Sequence, residues 1–321
     1  MVVKGLARLM SPGGRRARLS ILIFHRVLSM PDPMFPGEQH LQRFDQTLAW
    51  LRRWFQVIPL DDAVQRLQNG TLPSRSAAIT FDDGYADNAT NAMPLLQRHG
   101  LTATFFVASS FLDGGRMWND TVIEAIRGFD GQALDLSGQG LGVHPVQTPT
   151  QRRVAIESLL GQIKYLDPAA RTAAVDAIHQ SAGSGALPDG LMMTSAQVLQ
   201  LHEAGMQIGA HTCSHPILAR VADETARVEI RDSKTALESL IQRPVGLFAY
   251  PNGQPGKDYL AQHVMMAKKA GFVAAVSTAP GVSTAAADMF QLPRFTPWDT
   301  EQFRYGLRMV SNLRNAHPNV T

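Results

Sequence analysis

The stretch "AAITFDDGYADN", residues 77–88, places two adjacent carboxylates, Asp82 and Asp83, directly after an apolar run. Successive side chains of a β-strand point to opposite faces of the sheet, so the pair is not a repeated feature of one surface. Either the strand ends here in a tight turn, or the two carboxylates have different roles around one site. The rest of the chain is needed to choose between these two hypotheses.

The composition is typical of a globular protein with a sizeable core, since 45% of the 321 residues are hydrophobic and 18% are charged. A single cysteine, Cys213, excludes an internal disulfide framework and favours a reducing compartment. The net charge is +3, but residues 1–19 alone carry five cations and no acid. Basicity confined to one short segment is not typical of a nucleic-acid-binding protein.

Residues 1–19 form a basic leader in front of the main domain, residues 20–321. The apolar run that follows, "ILIF", ends at His25 and is too short for a signal peptide core or a membrane span. We therefore expect a cytoplasmic protein without a signal peptide. The leader is either solvated and disordered or lies on the anionic inner face of the cytoplasmic membrane, where each cation contributes about 1 kcal/mol.

Apolar runs and amphipathic segments alternate along the chain. "SAAITF" (76–81) and "TATFFVAS" (102–109) are typical strands, and "EQHLQRFDQTLAWLRRWF" (38–55) has the apolar spacing of a helix. Residues 113–190 interrupt this alternation with an insertion of helices and a Gly-rich polar stretch that suits a small hairpin. About seven strand candidates result. No Gly-x-Gly-x-x-Gly loop follows any of them, which favours a (β/α) barrel over an open doubly wound sheet.

Polar side chains recur where the predicted strands end, which is where the active sites of such barrels lie. Besides the two aspartates, they are His25, His211, His215, Tyr250, Pro251, Asn252 and Arg294. Two histidines four residues apart on a helical turn can reach one cation, and a carboxylate from another strand end supplies a third ligand. Such a ligand set leaves positions open on a Zn²⁺-like ion, as in a catalytic site. Two hydrogen-bonded histidines without a metal are the alternative.

Three motifs, "TFDDG", "HTCSH" and "FAYPNG", follow an opening "FHRV" in this order. The set resembles the polysaccharide deacetylases, the NodB homology domain of carbohydrate esterase family 4. The resemblance covers about residues 20–110 and 190–300 and leaves the 113–190 insertion outside. It implies a distorted (β/α)7 barrel with a helical insertion, and a metal-dependent removal of acetyl groups from sugars.

The resemblance assigns separate roles to the two neighbouring aspartates. Asp82 matches the catalytic base of the family, whereas Asp83 matches a metal ligand that is joined by His211 and His215. One divalent ion is implied, with Zn²⁺ expected and Co²⁺ or Ni²⁺ as alternatives. The alternative is that both aspartates cap the following helix and have neither a catalytic nor a metal-binding role.

The third motif departs from the Arg-Pro-Pro-Tyr of the family, because Ala249, Tyr250, Pro251 and Asn252 stand there. The last three are expected to contact the substrate, and the backbone N–H of Tyr250 is the first candidate to hold the oxyanion. The arginine that pairs with the base is missing from this motif. Arg294, in "QLPRF", is expected to replace it, and an ordinary surface arginine is the alternative.

The late Leu-x-His motif, which supplies the acid for the leaving amine in the family, is absent. His317 is the only histidine after residue 263, and His25, at a strand end, is the expected substitute. The alternative for His25 is a structural histidine bonded to a loop. Trp118 and Asp120 open the insertion, and either line a sugar groove or pack in the core.

Together these features predict a metal-dependent hydrolase that deacetylates N-acetylated sugars of a polysaccharide or of its lipid-linked precursor, in envelope or exopolysaccharide synthesis. A catalytically impaired carbohydrate-binding relative is one alternative, since two family motifs are altered. A deformylase or deacylase of a lipid-linked amino sugar is the other. The expected partners are the saccharide and, peripherally, the inner membrane surface, but no nucleic acid.

Overall fold

The computed structural model describes residues 2–183, 185–316 and 318–321. Within these residues the strands are β1 (Ser20–Phe24), β2 (Gln56–Val57), β3 (Ser76–Phe81), β4 (Thr104–Val107), β5 (Ala133–Leu136), β6 (Gly142–Pro145), β7 (Gln207–Ala210), β8 (Leu247–Ala249) and β9 (Ala274–Val276). The α-helices are α1 (Val2–Met10), α2 (Leu41–Trp54), α3 (Leu60–Gln68), α4 (Met93–His99), α5 (Trp118–Arg127), α6 (Pro149–Ile163), α7 (Pro168–Ala182), α8 (Ser195–Glu203), α9 (Asp223–Ile241), α10 (Ala261–Lys269) and α11 (Gln302–Asn312).

Seven parallel strands form one curled sheet, in the order β1-β3-β4-β7-β8-β9 with β2 paired to β3. Every residue of β3 is buried, because helices cover the outside of the sheet and side chains fill its inside. This burial explains why the strands are short apolar runs without polar alternation. The predicted barrel of the NodB type is confirmed.

An irregular segment, residues 289–296, closes the gap between the two edges of the sheet. On one side the backbone N–H of Leu292 donates to the carbonyl of Ala275 in β9 (2.9 Å). On the other side the N–H of Phe295 donates to the carbonyl of Ile21 in β1 (2.8 Å), and the Thr296 hydroxyl donates to Ile23 (2.6 Å). The segment therefore carries its side chains into the barrel from a position where no regular strand lies.

The segment 113–190 folds onto the barrel as three helices and a hairpin. Helices α5, α6 and α7 surround the antiparallel pair β5–β6, and their apolar side chains form a separate buried cluster. The helices and the small hairpin expected for this segment both form. The first turn of α7 is capped by the side chain of Asp167.

The basic leader folds as α1 followed by a short 3₁₀ turn, Gly14–Arg16. Val3 and Ala7 of α1 are buried, so the first residues pack on the domain and do not form the solvated, disordered start considered above. None of the helices in residues 2–183, 185–316 and 318–321 is long and apolar enough to cross a membrane.

Candidate active site

A tight turn follows β3 and separates the two aspartates. The backbone N–H of Asp82 still pairs with the carbonyl of Phe24 (2.9 Å), and two residues later Gly84 donates back to the carbonyl of Asp82 (3.0 Å). Asp83 and Gly84 both have positive φ, 76° and 90°. The two hypotheses for the pair are thus compatible, since the strand ends in a turn and the turn gives each carboxylate its own surroundings.

Asp82 is bound by a buried arginine. The guanidinium of Arg294 donates two hydrogen bonds of 2.6 Å, one to each carboxylate oxygen, and both residues are 2% exposed. Arg294 also donates to the carbonyl of Ser277 (2.9 Å), which fixes its orientation. Burial raises the pKa of Asp82, but the charge and hydrogen bonds of Arg294, together with the nearby histidines, outweigh this and lower it. Asp82 is therefore ionised at neutral pH and able to accept a proton.

Asp83 lies next to both histidines of "HTCSH". Its Oδ1 is 3.4 Å from Nε2 of His211 and 3.4 Å from Nε2 of His215. The helical turn expected for the two histidines is wrong, because this segment is a loop in which Thr212 and His215 have positive φ, 60° and 54°. The turn of the backbone, and not helical spacing, brings both imidazoles to one point.

Both imidazoles direct Nε2 toward Asp83. Nδ1 of His211 is 2.7 Å from the carbonyl of Ala249, so Nδ1 carries a proton, and in the neutral ring the lone pair is on Nε2. Burial lowers the pKa of His215 to about 4, which keeps this ring neutral. Burial acts on the pKa of His211 in the same direction, but the charges of Asp82 and Asp83 outweigh it and raise that pKa.

The three side chains fit a divalent metal ion. One ligand atom each of Asp83, His211 and His215 lies within 4.8 Å of the others, which is the spacing of donors around one ion. Two imidazole nitrogens and one carboxylate oxygen form a ligand set that suits Zn²⁺ and leaves open positions for a substrate.

The oxyanion donor expected at Tyr250 is wrong. Its backbone N–H already donates to the carbonyl of Val276 in the sheet (3.2 Å), and its ring stacks in the core on Tyr259. Pro251 has no N–H. Asn252 lines the pocket, and among the described residues none accepts a hydrogen bond from its backbone N–H. Asn252 is therefore the group of this motif that can contact a substrate.

His25 lies at the mouth of the pocket and is exposed, with its backbone carbonyl accepting a hydrogen bond from Asn88 (2.8 Å). Asp87 accepts from the Arg26 guanidinium (2.8 Å) and from the Val27 N–H (3.1 Å). The polar residues that follow "TFDDG" therefore hold the His25 loop over the metal ligands. This positioning role was not predicted, although these residues belong to the same conspicuous stretch.

Glu229 of α9 holds the histidine loop and was missed as well. Its carboxylate accepts from the backbone N–H groups of Cys213 and Ser214 (2.8 Å each) and from the Ser214 hydroxyl (2.5 Å). One acid within a polar helix gives no sequence signal for such a role.

A pocket of about 460 Å³ opens over these residues, and the insertion forms its other wall. Trp118 and Asp120 of α5 line it, as do Leu160 and Lys164 near the end of α6. The Tyr85 hydroxyl donates to Asp120 (3.0 Å). Burial raises the pKa of Asp120 to about 7.

Six of the nine predicted site residues border this pocket, and Arg294 binds one of them, Asp82. Tyr250 and Pro251 do not line it. His317 lies outside the described residues.

The family model described as "Polysaccharide deacetylase" matches residues 69–144 and 164–275 of the chain. The chain belongs to the polysaccharide deacetylase family, whose members are hydrolases. The motifs led us to expect that the insertion, residues 113–190, lies outside the family pattern. The match extends into it from both sides, so this expectation is wrong in part.

Individual relatives are distant but cover most of the chain. The Bacillus subtilis (strain 168) protein named "Putative polysaccharide deacetylase YxkH" is 21% identical over 87% of this chain and 71% of its own length. The Streptococcus pyogenes deacetylase PplD, solved in complex with acetate, is 18% identical with a TM-score of 0.59, over 92% of this chain and 98% of its own. IcaB from Ammonifex degensii is 16% identical with a TM-score of 0.57, over 95% and 98%. These structures share the fold.

Proposed function

We propose that the protein is a metal-dependent hydrolase that removes acetyl groups from N-acetylated sugars. The observation that carries this proposal is the arrangement of the two aspartates. Asp83 lies with two imidazoles in a donor set that suits one divalent ion, while Asp82 next to it is ionised and fixed by Arg294. A ligand and a base side by side are what the hydrolysis of an unreactive amide requires.

Asp83, His211 and His215 would hold the ion. When bound, it polarises the acetyl carbonyl and lowers the pKa of a water molecule. Asp82 accepts the proton of the attacking water as the new carbon–oxygen bond forms. Arg294 keeps the Asp82 carboxylate in one orientation, so that no rearrangement is needed during the reaction.

Asn252 and His25 complete the reaction. The free backbone N–H of Asn252 would donate to the carbonyl oxygen as negative charge develops on it. The carbon–nitrogen bond then breaks, and His25, at the pocket mouth, would give a proton to the leaving amine, releasing acetate and the amino sugar. A His25→Ala protein that retains its metal and still releases acetate at the normal rate would contradict the role of His25.

The substrate class rests on the pocket. Its volume of about 460 Å³ is enough for a sugar ring, and the aromatic residue Trp118 lines its wall. We favour a polysaccharide or its lipid-linked precursor in exopolysaccharide synthesis, handled at the inner face of the cytoplasmic membrane. Arg294 supports turnover over a catalytically impaired relative, because it supplies the contact that the third motif lacks.

The test is acetate release from a panel of N-acetylated oligosaccharides by protein loaded with Zn²⁺, Co²⁺ or Ni²⁺, with Asp82→Asn as the inactive control. Acetate from at least one sugar, at a rate that chelation abolishes, is the expected result. Release of formate from N-formyl analogues, or of a longer acid from N-acyl analogues, without acetate from the panel would show a deformylase or deacylase. Bound metal without any product would show a carbohydrate-binding relative.

A further inference from the structure

Two neighbouring helices, α1 and α11, expose many apolar side chains. The contact between them is close, since a Cβ placed on Gly306 would lie 2.9 Å from both methyl carbons of Val3. Around this contact lies a surface that we call the α1–α11 face. Its exposed apolar side chains are Val2, Leu6, Leu9, Trp298, Phe303 and Leu307, with exposed fractions between 38% and 78%.

The apolar side chains form one stripe on each helix. Val2, Leu6 and Leu9 follow the i, i+4, i+7 spacing of a single face of α1. Phe303 and Leu307 are one turn apart on α11, on the flank next to the contact with α1. Neither stripe is part of the core, because the buried residues are Val3 and Ala7 on α1 and Tyr305, Gly306, Met309 and Val310 on α11.

The two stripes lie on the same side of the helix pair. Helix α2 packs against the other side of α11, since the ring centroids of Trp50 and Tyr305 are 5.4 Å apart and Trp54 lies 3.0 Å from a Cβ placed on Gly306. On α1, the flank opposite to the apolar stripe carries Arg8; burial and the charge of Arg8 lower the pKa of Arg75, which donates to the carbonyl of Trp54 in α2. Both apolar stripes are therefore on the side of the pair away from α2, where they are exposed.

Cations border the α1–α11 face. Arg15, Arg16 and Arg18 line a depression together with Leu9, Arg18 donates to the carbonyl of Leu313 just after α11, and Arg43 donates to that of Trp298. The acids at its border are Asp299, which is paired with Arg308, and Glu301. Arg308 also stacks on the ring of Trp298 (3.7 Å). An apolar surface with this excess of positive charge complements an anionic partner.

We propose that the α1–α11 face docks the protein on the surface of an anionic lipid bilayer. The apolar side chains would enter the boundary between headgroups and acyl chains, and the surrounding cations would contact lipid phosphates. A second copy of the chain fits less well, because a two-fold contact would bring the same cations together.

This docking would bring the active-site pocket to the lipid surface. Arg43 donates both to the carbonyl of Trp298 (3.1 Å) and to that of Gly37 (3.0 Å), so the face borders the loop that contains Phe35 and Glu38. Both of these residues line the pocket. A saccharide held at the bilayer by a lipid would then reach the pocket from its rim. This consequence rests on the proposed function, whereas the docking itself does not.

The test is co-sedimentation with vesicles of phosphatidylglycerol, compared with vesicles of phosphatidylcholine. The wild-type protein should bind the anionic vesicles more tightly and be released by salt, because exposed charges are screened. Leu9→Ser and Phe303→Ser should each weaken binding about tenfold, by the loss of apolar contact. Arg15→Gln with Arg16→Gln should reduce the dependence on salt.

Val154→Ser in α6 and Met265→Ser in α10 are matched controls, since these side chains are similarly exposed, at 56% and 50%, outside the face. Both should bind like the wild type. Circular dichroism of each variant verifies folding, and Asp82→Asn should bind vesicles normally, which separates docking from catalysis. Equal binding to both lipids, equal loss in the controls, or a dimer in light scattering without vesicle binding would overturn the proposal.

Discussion

The carboxylate of Asp82 is buried, and an unpaired charge in that position would cost several kcal/mol. Arg294 offsets this cost with two hydrogen bonds in the fork geometry that guanidinium groups make with carboxylates. What the base requires is a fixed bidentate donor, whichever element supplies it. An arginine on the segment that closes the barrel can therefore replace one in the third motif.

We expect Arg294→Lys to lower the rate of acetate release about tenfold or more, since lysine keeps the charge but loses the planar fork. The metal content should not change, because Arg294 contacts none of Asp83, His211 and His215 in the hydrogen bonds it makes. Kinetics together with metal analysis measures both. A normal rate in this variant would show that Asp82 does not depend on the arginine.

Asp120 should make folding stability fall as pH rises. Burial raises its pKa to about 7 in the folded protein, whereas an unfolded chain has about 3.9. Between these values the folded state binds more protons, so its stability is highest at low pH and declines up to about pH 7. The free energy of unfolding in urea is measured for the wild type and for Asp120→Asn, and the value for the variant is subtracted. This difference should decrease from pH 4 to pH 7, by an amount set by the size of the pKa shift. A constant difference would contradict the raised pKa.

At the scale of elements, the site depends on loops that neighbouring elements hold in place. The histidine loop contains two residues with positive φ, Thr212 and His215, a conformation that costs energy unless the surroundings fix it. Glu229 of α9 fixes it through three hydrogen bonds. The metal affinity of the loop should therefore depend on a helix that contributes no ligand.

Glu229→Ala should weaken Zn²⁺ binding about 10–100-fold, the usual effect of removing a group that orients ligands. Glu224→Ala is the matched control, because Glu224 is an exposed acid on the same helix that pairs with Arg227 and not with the histidine loop among the described residues. Titration calorimetry measures both variants. Equal affinities in the two would mean that the loop keeps its shape without Glu229.

At the scale of the whole molecule, the barrel and most of the site were predictable because their signals are local. The strand "SAAITF" is buried on both faces, which is why its sequence is a nearly continuous apolar run. The polar residues that follow it lie at the edge of the sheet where active sites of such barrels are found. The start of α7 was also readable, since Asp167 followed by Pro168 is a typical N-terminus of a helix.

Other features depend on contacts distant in sequence. Strand β2 has only two residues and exists because β3 lies beside it. The closing segment 289–296 has no periodicity that would place it in the sheet. The pairing of Arg294 with Asp82, 212 residues away, could therefore be expected only because the base requires a cationic partner. The occupied N–H of Tyr250 follows from sheet register, which the motif does not reveal.

The central claim is that the neighbouring aspartates have separate roles, and one measurement tests it most directly. Metal content and acetate release are determined on the same preparations of wild type, Asp82→Asn and Asp83→Asn. Asp82→Asn should retain one metal ion per chain and lose about 10²–10⁴-fold in rate, as when a general base is removed. Asp83→Asn should lose both. An Asp82→Asn protein that turns over normally, or an Asp83→Asn protein that binds metal as the wild type does, would contradict the account.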